Sequence, residues 1–165
     1  MKKNIGRRFE AVHRSRELAV QFLYSLDIYP QSFDEALDLF FNLEEVAKND
    51  EPEVKRRSRD LISKVIDRKN ELDGILLRVV TGWTPDRMVS VDRIILRLML
   101  LEGFLEKTLP VKSAITEAVR LANDFGTENS ARFINGVMSK IQKFFEENKD
   151  ENEKDKKENA VGSDE

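Results

Sequence analysis

Between Val89 and Leu105, Val91, Ile94, Ile95, Leu98, Leu101, Phe104 and Leu105 recur at the three- and four-residue steps of a buried helical stripe. Leu96, Met99 and Leu100 make the other faces apolar too, so the predicted helix must be enclosed by neighbours on most sides. That requirement points to an all-α fold packed around a central rod. A membrane span is disfavoured, because Arg97 and Glu102 interrupt the run and it falls short of the ~20 apolar residues a bilayer needs.

Residues 1–9 contain Lys2, Lys3, Arg7 and Arg8 without apolar periodicity, and read as a mobile basic arm. From Glu10 to Ile28 the pattern predicts a helix with Ala11, Val12, Leu18, Ala19, Phe22, Leu23 and Leu26 toward the core. His13, Glu17, Gln21 and Tyr24 fall on its outer face, flanked by Arg14 and Arg16. Ser32 and Glu35 have the spacing of a capping box for a second helix, with Phe33, Leu37, Phe40, Phe41 and Val46 buried. Pro52 suits the first turn of a third helix. The outer side of that helix carries Lys55, Arg56, Arg57, Arg59, Lys64, Arg68 and Lys69, either as a second basic site or, as we favour, as a solvated face balanced by Glu53, Asp60 and Asp67. A short fourth helix carries Leu72, Ile75, Leu76, Val79 and Val80, and Trp83 reads as a core plug rather than a stacking platform. Ser90 is placed to cap the rod, with Asp92 near the positive end of its dipole.

Pro110 marks the next helix start, and a stripe from Val111 to Phe125 ends at Gly126. Thr127, Asn129 and Ser130 offer cap oxygens to a last helix with Phe133, Ile134, Val137, Met138, Ile141, Phe144 and Phe145 buried. Gly136 within it predicts a close approach by another backbone. No periodicity survives from Asn148 onward, which predicts disorder. The expected organisation is thus an arm at 1–9, a domain of about seven helices at 10–147 and an acidic tail at 148–165.

Charge and chemistry narrow the function. Residues 1–16 carry a net +5 and residues 146–165 a net −5, in a chain of net −3. With no cysteine, disulfides and thiolate metal sites are excluded, and the polar N-terminus without an apolar core of a signal peptide predicts a cytosolic protein with no membrane partner. A single histidine and no cysteine leave no visible pairing of nucleophile and base, so neither catalytic residues nor a cofactor is expected. His13 and Glu17, four residues apart, give two metal ligands where three or four are usual, and read as an exposed intrahelical pair; no metal is expected. What remains is a basic arm leading into a helix with an outward aromatic ring, the combination used to bind single-stranded RNA, although composition alone favours the alternative of an ordinary solvated surface. Arg7, Arg8, His13, Arg14, Arg16 and Tyr24 are its candidate residues.

The stretch Arg14 to Asp27, reading RSRELAVQFLYSLD, resembles the opening helix of the NusB family of bacterial transcription antitermination factors. Leu109 to Val119, Phe125 to Ser130 and Arg132 to Lys140 resemble that family's C-terminal pattern in order and spacing, and Val91 to Arg97 fits its centre. The resemblance implies two small helical bundles sharing a long central helix, and an RNA-binding adaptor without enzymatic activity. It implies recognition of single-stranded boxA RNA in ribosomal RNA leaders, together with the small-subunit ribosomal protein that acts as NusE, in support of the RNA polymerase elongation complex. Carried over by motif position, the RNA face includes Arg14, Arg16, Tyr24 and Asn129, with Asp92 at the RNA or partner border. The alternative is a protein-interaction module that kept the helical fold and lost RNA binding.

Overall fold

The computed structural model describes the backbone of residues 2–82 and 84–161 and the side chains of residues 5–82, 84 and 86–150. Trp83 lies outside them. The described residues form eight α-helices and no strand: α1 (Lys2–Ile28), α2 (Phe33–Asn42), α3 (Glu44–Asn49), α4 (Pro52–Asp67), α5 (Lys69–Val79), α6 (Ser90–Leu100), α7 (Val111–Phe125) and α8 (Ser130–Val161). A 3₁₀ turn, Pro85–Arg87, precedes α6, and a π-helical segment, Leu101–Leu105, prolongs it.

The predicted rod is the centre of the molecule. Every residue from Ile94 to Phe104 is buried. The rod packs against α1 and α4 of one bundle and α5, α7 and α8 of the other. Each enclosed Leu or Ile contributes about 1.5–3 kcal/mol of burial, so this segment dominates the core. The two charges that interrupt it are neutralised from opposite sides. Arg97 forks onto Asp73 of α5 at 2.7 and 2.8 Å, while Glu102 accepts from Arg16 of α1 at 2.7 and 3.2 Å.

Several local expectations need correction. α1 begins at Lys2 rather than Glu10. Residues 5–10 are all exposed, so no buried stripe marks a helix that propagates outward from its packed part. The expected second helix is two, divided at Leu43, whose extended backbone breaks the ladder. Ser32 makes no side-chain cap, and Ser90 donates its hydroxyl to Asp27 at 2.6 Å instead of capping the rod. The close approach belongs to Gly103 rather than the exposed Gly136. A Cβ on Gly103 would stand 2.6 Å from that of Ala114, whereas one on Gly136 would meet nothing within 4 Å. α8 also continues past Asn148 to Val161, through a stretch rich in the helix formers Glu and Lys.

Candidate nucleic-acid interface

Arg7 and Arg8 are exposed on the first turns of α1, and with Glu10 and Arg14 they line a groove closed on its far side by Asn49, Asp50 and Glu51, so three arginines there face three acids. Three of the expected residues therefore share one open surface. Arg14 is the lining residue most firmly held. Its Nε and Nη2 donate to the two Asp50 oxygens at 2.8 and 3.0 Å, and its Nη1 donates to Glu17 at 3.2 Å. The hydrogen bonds to Asp50, against burial and aided by Glu17, hold the Arg14 pKa above the ordinary arginine value. Tyr24 is 42% exposed, as the helix geometry predicts. It stands about 15 Å beyond Arg14 along the axis, at 1.5 Å per residue.

Two expected residues sit elsewhere. His13 is 4% and Arg16 6% exposed, because α1 is buried on two sides, by α4 and by the rod with α7. Arg16 donates to Glu102 and, at 3.2 Å, to Glu117. Burial disfavours its charge, but the bond to Glu102 and the charges of both carboxylates outweigh this and keep its pKa above the ordinary value. Such a guanidinium is not free to take a phosphate. His13 Nδ1 lies 2.6 Å from Glu117 Oε1, so the expected exposed pair with Glu17 is instead a buried junction between α1 and α7.

Asp92 and Asn129 are brought together through Ser130. Asp92 is buried beside Ser130, and its Oδ1 has no hydrogen-bond partner among the described residues. Burial pushes this carboxyl above its usual range, with the Ser130 hydrogen bond opposing. Asn129, the preceding residue, is exposed. The same end of the domain is tied to α1, since Asp27 accepts from Ser90 at 2.6 Å and from Arg93 at 2.7 Å. Burial raises the Asp27 pKa, but those two bonds outweigh it and leave the carboxyl below its usual value. Tyr24 is one turn before Asp27.

The partners that decide these roles escaped the sequence reading. Asp50, Glu102 and Glu117 lie 36 to 104 residues from the side chains they bind, beyond any local spacing rule. Glu102 did leave a signal, as a charge inside the densest apolar run. The basic outer face of α4 is largely engaged, with Arg56 on Glu53, Arg59 on Asp38, and Lys64 on Asp60 and Glu106.

Two helical bundles on a shared rod, with an arginine-lined groove and an exposed tyrosine on the first helix, define an all-α domain whose conspicuous feature is a surface. The sequence model of the NusB family matches residues 13–143, and the chain belongs to that family. The transcription antitermination protein NusB of Anaeromyxobacter dehalogenans strain 2CP-1 is 38% identical over 128 residues, covering 78% of this chain and 87% of the relative. The protein of the same name from Oceanobacillus iheyensis is 39% identical over 129 residues, covering 78% and 96%. Among solved structures, T. maritima NusB superposes with a TM-score of 0.69 at 28% identity, over 80% of this chain and 90% of that one. A structure of antitermination factors NusB and NusE with double-stranded RNA shares the fold, with a TM-score of 0.69 at 22% identity over 81% and 97%. Among the described residues no helix is long and apolar enough to cross a membrane.

Proposed function

We propose that this chain is an RNA-binding transcription antitermination factor. It takes up boxA-type single-stranded RNA of ribosomal RNA leaders together with the small-subunit ribosomal protein acting as NusE. The pair then acts on the RNA polymerase elongation complex in the cytoplasm, without catalysis by this chain. The observation that carries the reading is the convergence of Arg7, Arg8 and Arg14 on one groove of the helix that also exposes Tyr24. Guanidinium groups neutralise phosphates and a tyrosine face stacks an unpaired base, and single-stranded RNA offers both at once. Family membership, and the NusB–NusE–RNA assembly of a protein with this fold, support the choice of ligand and partner. Asn129 and Asp92 belong to the RNA or partner border at the Tyr24 end. His13 and Arg16 serve by fixing α1 against α7 and the rod.

The test is fluorescence anisotropy of the full chain with a short boxA-like RNA and a scrambled one, with and without the ribosomal protein. We expect boxA-like RNA to bind more tightly than the scrambled RNA, and more tightly still with the partner present. Equal affinity for the two RNAs in the ternary mixture would overturn the boxA assignment. Binding of the protein partner with no uptake of either RNA would favour the interaction module.

A further inference from the structure

The chain's one histidine is held by carboxylates on both ring nitrogens. Glu117 Oε1 stands 2.6 Å from Nδ1, which places the ring proton there in the neutral form. Nε2 then presents a lone pair, and it faces Glu17 Oε1 at 3.1 Å and Asp124 Oδ2 at 3.5 Å. This nitrogen is buried and makes no aligned hydrogen bond. A lone pair and two carboxylate oxygens at such distances repel one another unless a second ring proton or a metal cation lies among them, and a metal is the occupant that uses all three donors at once.

The geometry points to a divalent transition-metal site at the junction of α1 and α7, ligated by His13 Nε2, Glu17 and Asp124. A tetrahedral zinc ion with bonds of about 2.1 Å sets its ligand atoms about 3.4 Å apart. The distances from Nε2 are 3.1 and 3.5 Å, and the three donor atoms all lie within 4.8 Å of one another. One imidazole and two carboxylates suit zinc and its neighbours rather than a soft ion that selects sulfur. Glu117 completes the arrangement from outside, as the carboxylate that orients a metal-bound histidine. The Asp124 side chain is 45% exposed, so a fourth position opens to solvent. Sequence spacing shows only the pair on α1; the third ligand comes from the end of α7. Glu17 turns its other oxygen to Arg14 at 3.2 Å, so an ion here also steadies a residue that lines the groove. This site stands on its own donor atoms and does not depend on the RNA reading.

The experiment uses the full chain, stripped with a chelator and titrated with zinc by calorimetry, while the lone imidazole is followed by nitrogen-15 NMR. One zinc should bind per chain, the Nε2 resonance should move to its metal-bound position with Nδ1 still protonated, and the melting temperature should rise. Asp124→Asn, a change at an exposed side chain, should keep the helical circular dichroism. It should weaken zinc binding by at least the ~10-fold that loss of even an outer-shell partner costs. Zinc affinity unchanged in Asp124→Asn would place any bound ion elsewhere, for example on the acidic C-terminal segment, and overturn the assignment. So would an imidazole that keeps protons on both nitrogens at neutral pH in the presence of stoichiometric zinc, since that is a histidinium bridging carboxylates.

Discussion

Replacing Arg16 by alanine should unfold this protein far more readily than it weakens RNA binding. Arg16 is 6% exposed, and its guanidinium donates to Glu102 at 2.7 and 3.2 Å and to Glu117 at 3.2 Å. Glu102 has a side chain only 2% exposed, inside the rod, and truncating Arg16 leaves that carboxylate buried without its cation. Removing one partner of a buried ion pair costs about 3–5 kcal/mol, most of it the penalty of the charge left behind. At about 2–4 °C per kcal/mol for a domain of this size, the melting temperature should fall by roughly 6–20 °C. The double variant Arg16→Met with Glu102→Leu removes both charges and should recover most of the loss, because well-packed apolar replacements of buried ion pairs are often neutral. Glu117 keeps a partner in His13 throughout. Thermal and urea unfolding followed by circular dichroism read the stability. Anisotropy at a temperature where every variant is folded reads the RNA affinity. An Arg16→Ala protein that melts like the parent but loses RNA would return Arg16 to the interface. A double variant no more stable than the single one would mean that packing, not stranded charge, causes the loss.

Arg7→Ala combined with Arg8→Ala should flatten the dependence of log affinity on log salt by about 1.4, at ~0.7 per phosphate contact on a single strand. An unchanged slope would keep both off the backbone. Tyr24→Ala should leave the melting temperature almost unaltered and cost about 1–3 kcal/mol of RNA affinity with the salt slope intact. A stability loss of about 3–5 kcal/mol would instead identify a core ring. Gly103→Ala should destabilise by about 1–3 kcal/mol through overpacking against Ala114, while Gly136→Ala on an open helix surface should stabilise by up to ~1 kcal/mol; urea midpoints moving the same way in both would refute the contrast. Burial raises the folded-state pKa of Asp92, so its ionisation costs native stability above that raised value, and the cost vanishes below the unfolded value near ~4. Asp92→Asn should therefore be more stable than the parent at pH 7, with the gain lost below about pH 4; a difference independent of pH would exclude a charge penalty.

The apolar periodicities carried the helices whose one face is buried, such as α4 and α7, and located the rod because Leu96, Met99 and Leu100 occupy the faces a surface helix leaves polar. Periodicity was blind where burial does not select the residue. α1 before Glu10 and α8 after Asn148 are helical without an apolar stripe, so neither left a pattern. The outer face of α1 was misjudged for a different reason. A helical wheel separates polar from apolar residues, but a helix gripped from two sides can bury polar ones if distant partners arrive. His13 and Arg16 are the cases, and their partners come from the rod and α7. Tyr24 was legible because its position on the helix wheel leaves the ring 42% exposed. Asp50, Glu117 and Asp124 were not, since each lies in a turn or on a helix where an acid is ordinary surface.

The same partners alter what the basic N-terminus can offer a nucleic acid. A net +5 over residues 1–16 suggests a broad cationic tract, yet Arg16 and Arg14 are both paired with carboxylates, Arg16 buried and Arg14 with its side chain 37% exposed. Exchanging Asp50 for a phosphate would keep Arg14 in a forked ion pair, but it would strand a carboxylate whose side chain is only 5% exposed. That penalty makes the exchange unfavourable. Arginine has five N–H groups, and Arg14 uses three, two on Asp50 and one on Glu17. Two therefore remain for a phosphate without releasing either carboxylate. Arg14 can thus act as a fixed donor whose direction is set by Asp50 in the turn between α3 and α4 and by Glu17 of α1, whereas Arg7 and Arg8, exposed on the turns before it, supply charge with little constraint. Orientation by a fixed donor and charge from unconstrained ones are different contributions, so in the proposed complex RNA register should depend on Arg14 and the salt response on Arg7 and Arg8.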